Sequence, residues 1–364
     1  MTSPKTIRSA LLSLGLLCCS TLFALAIAEA SAAVILYSKV GIVLLPPKWP
    51  RAKRHIYANW TRHVVQFDPA CTQFDTQLLY TLRPGECRFQ NPEFDTIIKV
   101  NSAGFRDDEE SLSAPEVVVL GDSFAMGWGV DASEAFAAVL KRRTGLKVLN
   151  TGVSSYGTVR EKIALSRIPV SHLKYLVVQY SSNDLGENHL FYLRNNTHKS
   201  LAKENFDRVM RTYQESRSYY PGKILDLFIS RKVFGRLMRQ EVTSPPTIDP
   251  WTESDRRAKE QKPSQTEAEL FVNALVNAGS ALPPSLQKIV VFALEAYGAE
   301  NREMIEGLAS IKAEHRLDGI PGEFVIVNTA NILTSDDYYR LDDHIRPSGH
   351  AAVAEALASQ LLAR

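Results

Sequence analysis

The sequence predicts an α/β fold, a three-layer α/β/α sandwich around a parallel sheet of about five strands, preceded by an N-terminal transmembrane helix. Short runs rich in β-branched and aromatic residues alternate with stretches of helical spacing. Apolar strands that alternate with helices are typical of a parallel sheet covered on both faces and joined by right-handed crossovers. The predicted strands are Glu116–Leu120, Lys147–Asn150, Tyr175–Tyr180, Lys288–Ala293 and Glu323–Val327.

Composition places the chain among globular proteins and gives no sign of a nucleic-acid partner. Of 364 residues, 45% are hydrophobic and 23% are charged, which is an ordinary balance. Lys and Arg number 42 and Asp and Glu number 40, so the formal net charge is only +2. The eight histidines show no paired metal-ligand spacing, and the sequence contains no glycine-rich phosphate loop. We therefore expect neither a metal nor a cofactor.

The N-terminal segment, residues 1–45, is predicted to be a membrane anchor or a signal sequence. Residues 10–28 carry no charge and are long enough for a helix to span a bilayer. Ala30-Ser31-Ala32 fits a cleavage site, but the apolar stretch exceeds a typical secretory segment, which favours an uncleaved anchor. Basic residues flank the span on both sides, and large domains can translocate regardless of such charges. We expect the following domain in the periplasm, with Glu29 as an interfacial charge.

Two further segments surround or interrupt the α/β pattern. Residues 46–106 are predicted to form a linker and an N-terminal extension with short strand-like pieces, and residues 107–364 the α/β domain. Cys71 and Cys87 either form a disulfide in an oxidising compartment or remain free thiols. The third and fourth strands lie too far apart for one connection, so a helical insertion is expected at about 190–285. This insertion is either a wall or lid of the site or a packed decoration.

Residue types that acyl transfer requires follow the predicted strands: a serine, a glycine, an asparagine and a histidine. Gly121-Asp122-Ser123-Phe124 follows the first strand, Gly152 the second and Asn183 the third. The carboxyl ends of parallel strands meet at one edge of the sheet, where ligands bind. A serine hydroxyl becomes a nucleophile when a base takes its proton, and His344 is the candidate base.

Asp342 is the candidate residue that orients His344, whereas the side chain of Asp343, adjacent to the histidine, is expected to point elsewhere. Attack on an ester creates an oxyanion that needs preorganised donors. The backbone N–H groups of Ser123 and Gly152 and the side-chain amide of Asn183 are the candidate donors. Three further residues are interpreted as structural: Asp122, Asp184 and His350. Trp128 is interpreted as a residue of the core or of the pocket wall.

The four blocks resemble those of the SGNH hydrolases, which belong to the GDSL esterase and lipase superfamily. The segment that contains Ser123 resembles the first block and its nucleophile, and Asn150-Thr151-Gly152-Val153 resembles the second with its oxyanion glycine. Asn183-Asp184 resembles the third block, and Asp342-Asp343-His344 the last. Asn101–Arg106 resembles the lead-in of many membrane-anchored bacterial members, so the resemblance covers about residues 101–364.

The chain departs from the family pattern at two places. Ser181 stands where the third block usually begins with glycine, and one residue rather than two separates Asp342 from His344. The latter spacing also occurs in relatives that act on polysaccharide acetylation. The resemblance implies the flavodoxin-like SGNH fold and a serine esterase that forms an acyl-serine intermediate. Its expected substrate is an O-acyl ester, commonly acetyl, on a cell-envelope glycan or lipid. An O-acyltransferase with the same acyl-enzyme and a non-catalytic glycan-binding or assembly protein stay open as alternatives.

Overall fold

The computed structural model of the chain describes residues 4–37, 51, 53–54, 57–199, 202–229, 255, 258 and 262–363. The chain divides into two compact units, one of residues 1–62 with 212–247 and one of residues 63–211 with 248–364. The start of the predicted linker and N-terminal extension, residues 46–50, and part of the predicted helical insertion at about 190–285 lie outside the described residues.

The helices and strands of the described residues follow in chain order. The helices are α1 (Pro4–Tyr37), α2 (Ser123–Met126), α3 (Phe136–Thr144), α4 (Thr158–Leu165), α5 (Asp184–Leu193), α6 (Lys203–Arg217), α7 (Lys223–Ile229), α8 (Glu267–Asn277), α9 (Arg302–Ala313) and α10 (Pro347–Leu362). The strands are β1 (Thr72–Asp75), β2 (Leu79–Leu82), β3 (Gly85–Asn91), β4 (Phe94–Val100), β5 (Val117–Leu120), β6 (Val148–Asn150), β7 (Tyr175–Tyr180), β8 (Lys288–Ala293) and β9 (Glu323–Val327).

The smaller unit contains a helix that is long and apolar enough to cross a membrane, over Leu11–Leu36 within α1. Length and composition make this helix a candidate anchor or signal sequence. Glu29, expected as an interfacial charge, is instead buried. Its carboxylate accepts the backbone N–H groups of Ile224 (3.0 Å) and Leu225 (2.9 Å) in the first turn of α7. A negative charge at a helix N-terminus is favourable, so Glu29 caps a second helix of its own unit.

The predicted parallel sheet is present in the larger unit. Its strands lie in the order β6-β5-β7-β8-β9, and every neighbouring pair is parallel. The chain leaves β5 for β6 on one side and then crosses to β7 on the other side. This reversal of direction makes a crevice at the carboxyl ends of β5, β6 and β7, which is the usual ligand position in open α/β sheets.

Both faces of the sheet are covered, which confirms the three-layer sandwich. Side chains alternate across a strand, so Val117 and Val119 belong to one apolar cluster with α3 and α10. Val118 and Leu120 belong to the other cluster, with α4, α8 and α9. The buried face of α8 lies within this second layer, inside the region predicted as an insertion. The domain boundaries, and a lid role for that region, stay predictions.

Two antiparallel hairpins, β1–β2 and β3–β4, build most of the predicted N-terminal extension. Alternate residues of β4 are buried, among them Phe94 and Ile98, as expected for a strand with one face on a core. A disulfide joins Cys71 and Cys87, whose Cα atoms lie 5.5 Å apart. The disulfide ties the start of the first hairpin to the second.

Candidate active site

The turn after β5 places Ser123 at the carboxyl edge of the sheet. Gly121 has a φ of +153°, and a Cβ there would lie 2.6 Å from both Ala125 Cβ and Gln179 Oε1. Glycine is therefore required for the sharp entry into α2. Asp122 caps this helical turn, since its carboxylate accepts the Phe124 N–H at 2.9 Å. Ser123 is the first residue of the turn and is 8% exposed.

Ser123, His344 and Asp342 form one hydrogen-bonded series. Ser123 Oγ lies 2.6 Å from His344 Nε2, and His344 Nδ1 lies 2.6 Å from Asp342 Oδ1. His344 and Asp342 are both buried. The structure thus brings together the three residues that the sequence analysis assigned as nucleophile, base and orienting carboxylate, in the geometry of a Ser-His-Asp triad.

Asp343 does not point elsewhere, and that expectation was wrong. Its Oδ1 lies 2.9 Å from His344 Nδ1, so two carboxylates face one imidazole nitrogen. The loop over residues 341–344 is irregular rather than a strand, so adjacent side chains need not alternate in direction. Burial lowers the pKa of His344, but the carboxylates of Asp343 and Asp342 outweigh it and raise the pKa to about 9.

Two aromatic rings enclose the imidazole of His344. The Trp128 indole is stacked on it, with ring centroids 4.6 Å apart and planes 12° apart, and the Phe124 ring lies 4.7 Å away. The Trp128 Nε1–H also donates to Asp342 Oδ2 at 3.1 Å. Trp128, interpreted as core or pocket wall, is buried, and its side chain contacts two members of the triad.

Of the predicted oxyanion donors, two are backbone amides. The Ser123 N–H is the first amide of α2, and the first amides of a helix lack partners within it. A Cβ on Gly152 would lie 2.5 Å from Met126 N, so only glycine brings this backbone so close to α2. The Gly152 N–H donates to Asn150 Oδ1 at 3.0 Å. An oxyanion role for Gly152 therefore stays a prediction and requires this bond to be shared or broken.

The third predicted donor is the side chain of Asn183, at the start of α5. Asn183 is exposed and its side chain does not cap the helix. Burial raises the pKa of Asp122 to about 6, and hydrogen bonding from the Asn183 side chain opposes that rise. The amide of Asn183 therefore lies beside the turn that carries Ser123.

Glu295 supports the loop that precedes Asn183, and sequence reasoning missed this residue. Its buried carboxylate accepts both the N–H (2.7 Å) and the hydroxyl (2.8 Å) of Ser182. Glu295 lies two residues after β8, so strand counting places it at the correct edge of the sheet. It carries no motif that would single it out.

Glu93 and Arg106 also support the site from outside the four sequence blocks. Glu93, in the turn between β3 and β4, accepts the backbone N–H groups of Leu341 (2.8 Å) and Asp342 (2.9 Å). The buried Arg106 guanidinium donates to the carbonyls of Gly127 and Val130, directly after α2. Arg106 belongs to the lead-in that the resemblance includes, whereas Glu93 has no sequence signal.

Asp184, Glu161 and His350 lie outside the hydrogen-bonded series of Ser123, His344 and Asp342. Asp184 Oδ2 accepts the N–H (3.1 Å) and the hydroxyl (2.8 Å) of Thr158, so Asp184 holds loop backbone as expected. Glu161 is buried, and burial together with Asp184 and Asp122 raises its pKa well above the usual value. His350, interpreted as structural, is buried and accepts the Phe136 N–H at 3.2 Å.

Among the described residues, Asp342, Asp343 and His344 also present three ligand atoms within 4.8 Å of one another. Carboxylates and imidazole are metal ligands in other proteins. Here the imidazole Nδ1 is within hydrogen-bond distance of both carboxylates, and Nε2 is within that distance of Ser123. The group therefore fits proton transfer to and from Ser123 at least as well as it fits a metal ion.

No family model matches the chain, and no curated protein matches it. Among solved structures, one described as a lipolytic protein of the G-D-S-L family from Desulfitobacterium hafniense is 11% identical, with 66% of this chain and 97% of that chain covered and a TM-score of 0.31. One described as a GDSL-like lipase from Bacteroides ovatus is 14% identical, with 68% of this chain and 53% of that chain covered and a TM-score of 0.35. One described as an arylesterase from Agrobacterium tumefaciens is 13% identical, with 67% of this chain and 97% of that chain covered and a TM-score of 0.32.

Proposed function

We propose that this chain is an SGNH-type serine hydrolase that cleaves carboxylic esters. The observation that carries the proposal is the hydrogen-bonded series from Ser123 Oγ to His344 and on to Asp342, with 2.6 Å at each step. A hydroxyl gains nucleophilic character when a positioned base takes its proton and a carboxylate fixes the tautomer of that base.

In the proposed reaction, Ser123 Oγ attacks the ester carbonyl carbon while His344 Nε2 takes the hydroxyl proton. The carbonyl oxygen becomes an oxyanion, for which the amides of Ser123 and Gly152 and the side chain of Asn183 are the candidate donors. His344 then gives its proton to the leaving alcohol as the C–O bond breaks, which leaves an acyl group on Ser123. Water that loses its proton to His344 attacks this acyl-enzyme, and the acid is released as the bond to Ser123 Oγ breaks and His344 returns that proton to Oγ.

We further propose the class of ester that the enzyme cleaves and the compartment in which it acts. The acyl group is acetyl or another small acyl, and the alcohol belongs to a glycan or lipid of the cell envelope. A periplasmic domain tethered by the N-terminal helix would meet such a substrate. Two observations support this placement: the apolar helix over Leu11–Leu36 and the Cys71–Cys87 disulfide, since disulfides persist in oxidising compartments.

Hydrolysis of p-nitrophenyl acetate, butyrate and octanoate by the detergent-solubilised chain tests the proposal, with Ser123→Ala as the matched control. We expect turnover that falls with acyl length and is lost in Ser123→Ala. Acyl transfer to an added sugar that exceeds hydrolysis would favour the acyltransferase alternative. Folded protein without turnover of any ester would contradict the proposal and favour a binding or assembly role.

A further inference from the structure

A cavity of about 500 Å³ lies at the carboxyl ends of β8 and β9, beside the proposed active site. Its walls come from the end of β8 and the segment after it (residues within 293–302), from Ile305 and Glu306 in α9, from residues within 328–335, which follow β9, and from Tyr338. Ligand sites usually have about 300–1,000 Å³, and open α/β sheets bind ligands at this edge. Size and position therefore suit a small ligand or a few units of a polymer.

Two cavity residues also hold the loops of the catalytic site. Glu295, on the cavity wall, binds the N–H and the hydroxyl of Ser182, the residue before Asn183. The Tyr297 N–H donates to the carbonyl of Asp343 at 3.2 Å, and its hydroxyl donates to the carbonyl of Leu341 at 2.9 Å. A ligand in the cavity would thus lie against the segments that position the oxyanion amide and the imidazole.

The backbone of Tyr297 is strained, which marks this wall of the cavity. Its φ of 53° and ψ of 26° lie in the left-handed region, which bulky residues rarely adopt. Such strain persists where surrounding structure imposes it, and it concentrates at functional sites. The residue is 39% exposed, so its ring presents an aromatic surface. An aromatic ring packs against the C–H face of a sugar and leaves the sugar hydroxyls free for polar partners.

The remaining lining indicates which ligand chemistry the cavity accepts. Amides and hydroxyls line it from both segments, and they suit a ligand with many hydroxyl groups. These side chains include Asn328, Asn331, Thr334 and Ser335. Asn301 also lines the cavity, but its amide already bonds Glu267, Glu295 and the Met304 N–H. The charged residues are three carboxylates and one guanidinium, Arg302, which is already paired with Glu300 at 2.5 Å. These charged residues together carry a net negative charge, which disfavours the binding of phosphate and other anions, including the head groups of acidic lipids.

We propose that this cavity binds sugar units of an uncharged glycan, next to the ester that Ser123 cleaves. The inference rests on the proposed esterase function and deepens it, because it selects a glycan rather than a lipid as the alcohol part of the substrate. Occupation of the cavity contributes binding energy shared by the bound ester and its transition state, so loss of the cavity raises KM more than it lowers kcat.

Ala330→Trp and Asn331→Trp test this by filling the cavity from an exposed turn on its wall. Ala313→Trp, at the exposed far end of α9, is the matched control. Each full-length variant is assayed with O-acetylated xylo-oligosaccharides, O-acetylated cello-oligosaccharides and p-nitrophenyl acetate. The readout is the kcat/KM for each oligosaccharide divided by the kcat/KM for p-nitrophenyl acetate, which corrects for losses in folding.

We expect this ratio to fall at least about tenfold in both cavity variants, through KM, and to stay at the wild-type value in Ala313→Trp. An unchanged ratio in both cavity variants would overturn the proposal. If the wild-type chain cleaves p-nitrophenyl acetate but neither oligosaccharide, the glycan inference fails while the esterase proposal stands. If it cleaves no ester at all, the esterase proposal itself fails.

Discussion

The indole of Trp128 is stacked on the imidazole of His344, with ring centroids 4.6 Å and planes 12° apart. The same indole donates its N–H to Asp342 Oδ2 at 3.1 Å, while Asp342 Oδ1 faces His344 Nδ1 at 2.6 Å. Trp128 thus fixes both the plane of the base and one oxygen of the carboxylate that orients it. The backbone N–H of Trp128 also donates to the carbonyl of Ser123 at 3.0 Å.

Trp128→Phe is expected to lower kcat for p-nitrophenyl acetate about tenfold or more, with little change in KM. Phenylalanine keeps an aromatic face against His344 but cannot donate to Asp342, and a hydrogen bond to a charged group contributes about 1.5–3 kcal/mol. Steady-state kinetics measures the effect. Trp128→Leu, which removes the stacking as well, should lose more. A wild-type value of kcat in Trp128→Phe would show that the hydrogen bond from the indole N–H to Asp342 does not contribute to catalysis.

The pH dependence of ester hydrolysis should report the carboxylates around His344. The base must be neutral to accept the Ser123 proton. Burial lowers the pKa of His344, but the carboxylates of Asp343 and Asp342 outweigh it and raise the pKa to about 9. We therefore expect kcat/KM to rise with pH up to an apparent pKa near 9.

Asp343→Asn removes a negative charge that favours the imidazolium, so the midpoint of the kcat/KM profile should move to lower pH. Asp342→Asn, the matched control at the closer carboxylate, should in addition lower kcat strongly, because it disturbs the tautomer. A profile for Asp343→Asn that superimposes on the wild-type profile would contradict a contact between Asp343 and His344.

Glu161 should make stability depend on pH. It is 1% exposed, and neither carboxyl oxygen has a hydrogen-bond partner within the described part of the chain. Its pKa is raised in the folded state, so the protonated acid stabilises the fold. This contribution is complete below the unfolded pKa of about 4.3 and is lost as pH rises through the folded pKa.

Glu161→Gln keeps the shape of the neutral acid and does not ionise. We expect its Tm, relative to wild type, to be higher at pH 9 than at pH 5 by about 2–4 °C. Thermal unfolding at the two pH values measures this difference. An equal difference at both values would mean that Glu161 does not titrate in this range.

Local patterns predicted the sheet well. The bounds of β7, β8 and β9 are those predicted, because each is a β-branched or aromatic run bounded by loops. The four hairpin strands of the N-terminal extension were predicted only as short strand-like pieces, since short amphipathic strands carry a weak signal. The four blocks predicted Ser123, His344 and Asp342, because the topology of a parallel sheet brings strand ends together.

The contacts that hold the site could not be predicted from the sequence. Trp128 and Asp342 are 214 positions apart, and Glu93 and Asp342 are 249 apart. No periodicity relates such residues, because their contact depends on the path of the whole chain. The direction of Asp343 was missed for a local reason, since the backbone of an irregular loop sets where its side chains point.

Labelling of the full-length chain by a fluorophosphonate probe tests most directly whether Ser123 is an activated nucleophile. Peptide mass spectrometry identifies the modified residue. A hydroxyl reacts with this probe only when a base activates it. We expect modification of Ser123 alone, with loss of labelling in Ser123→Ala and a strong reduction in His344→Ala. Modification of another residue, or none in folded wild-type protein, would contradict the proposed serine hydrolase.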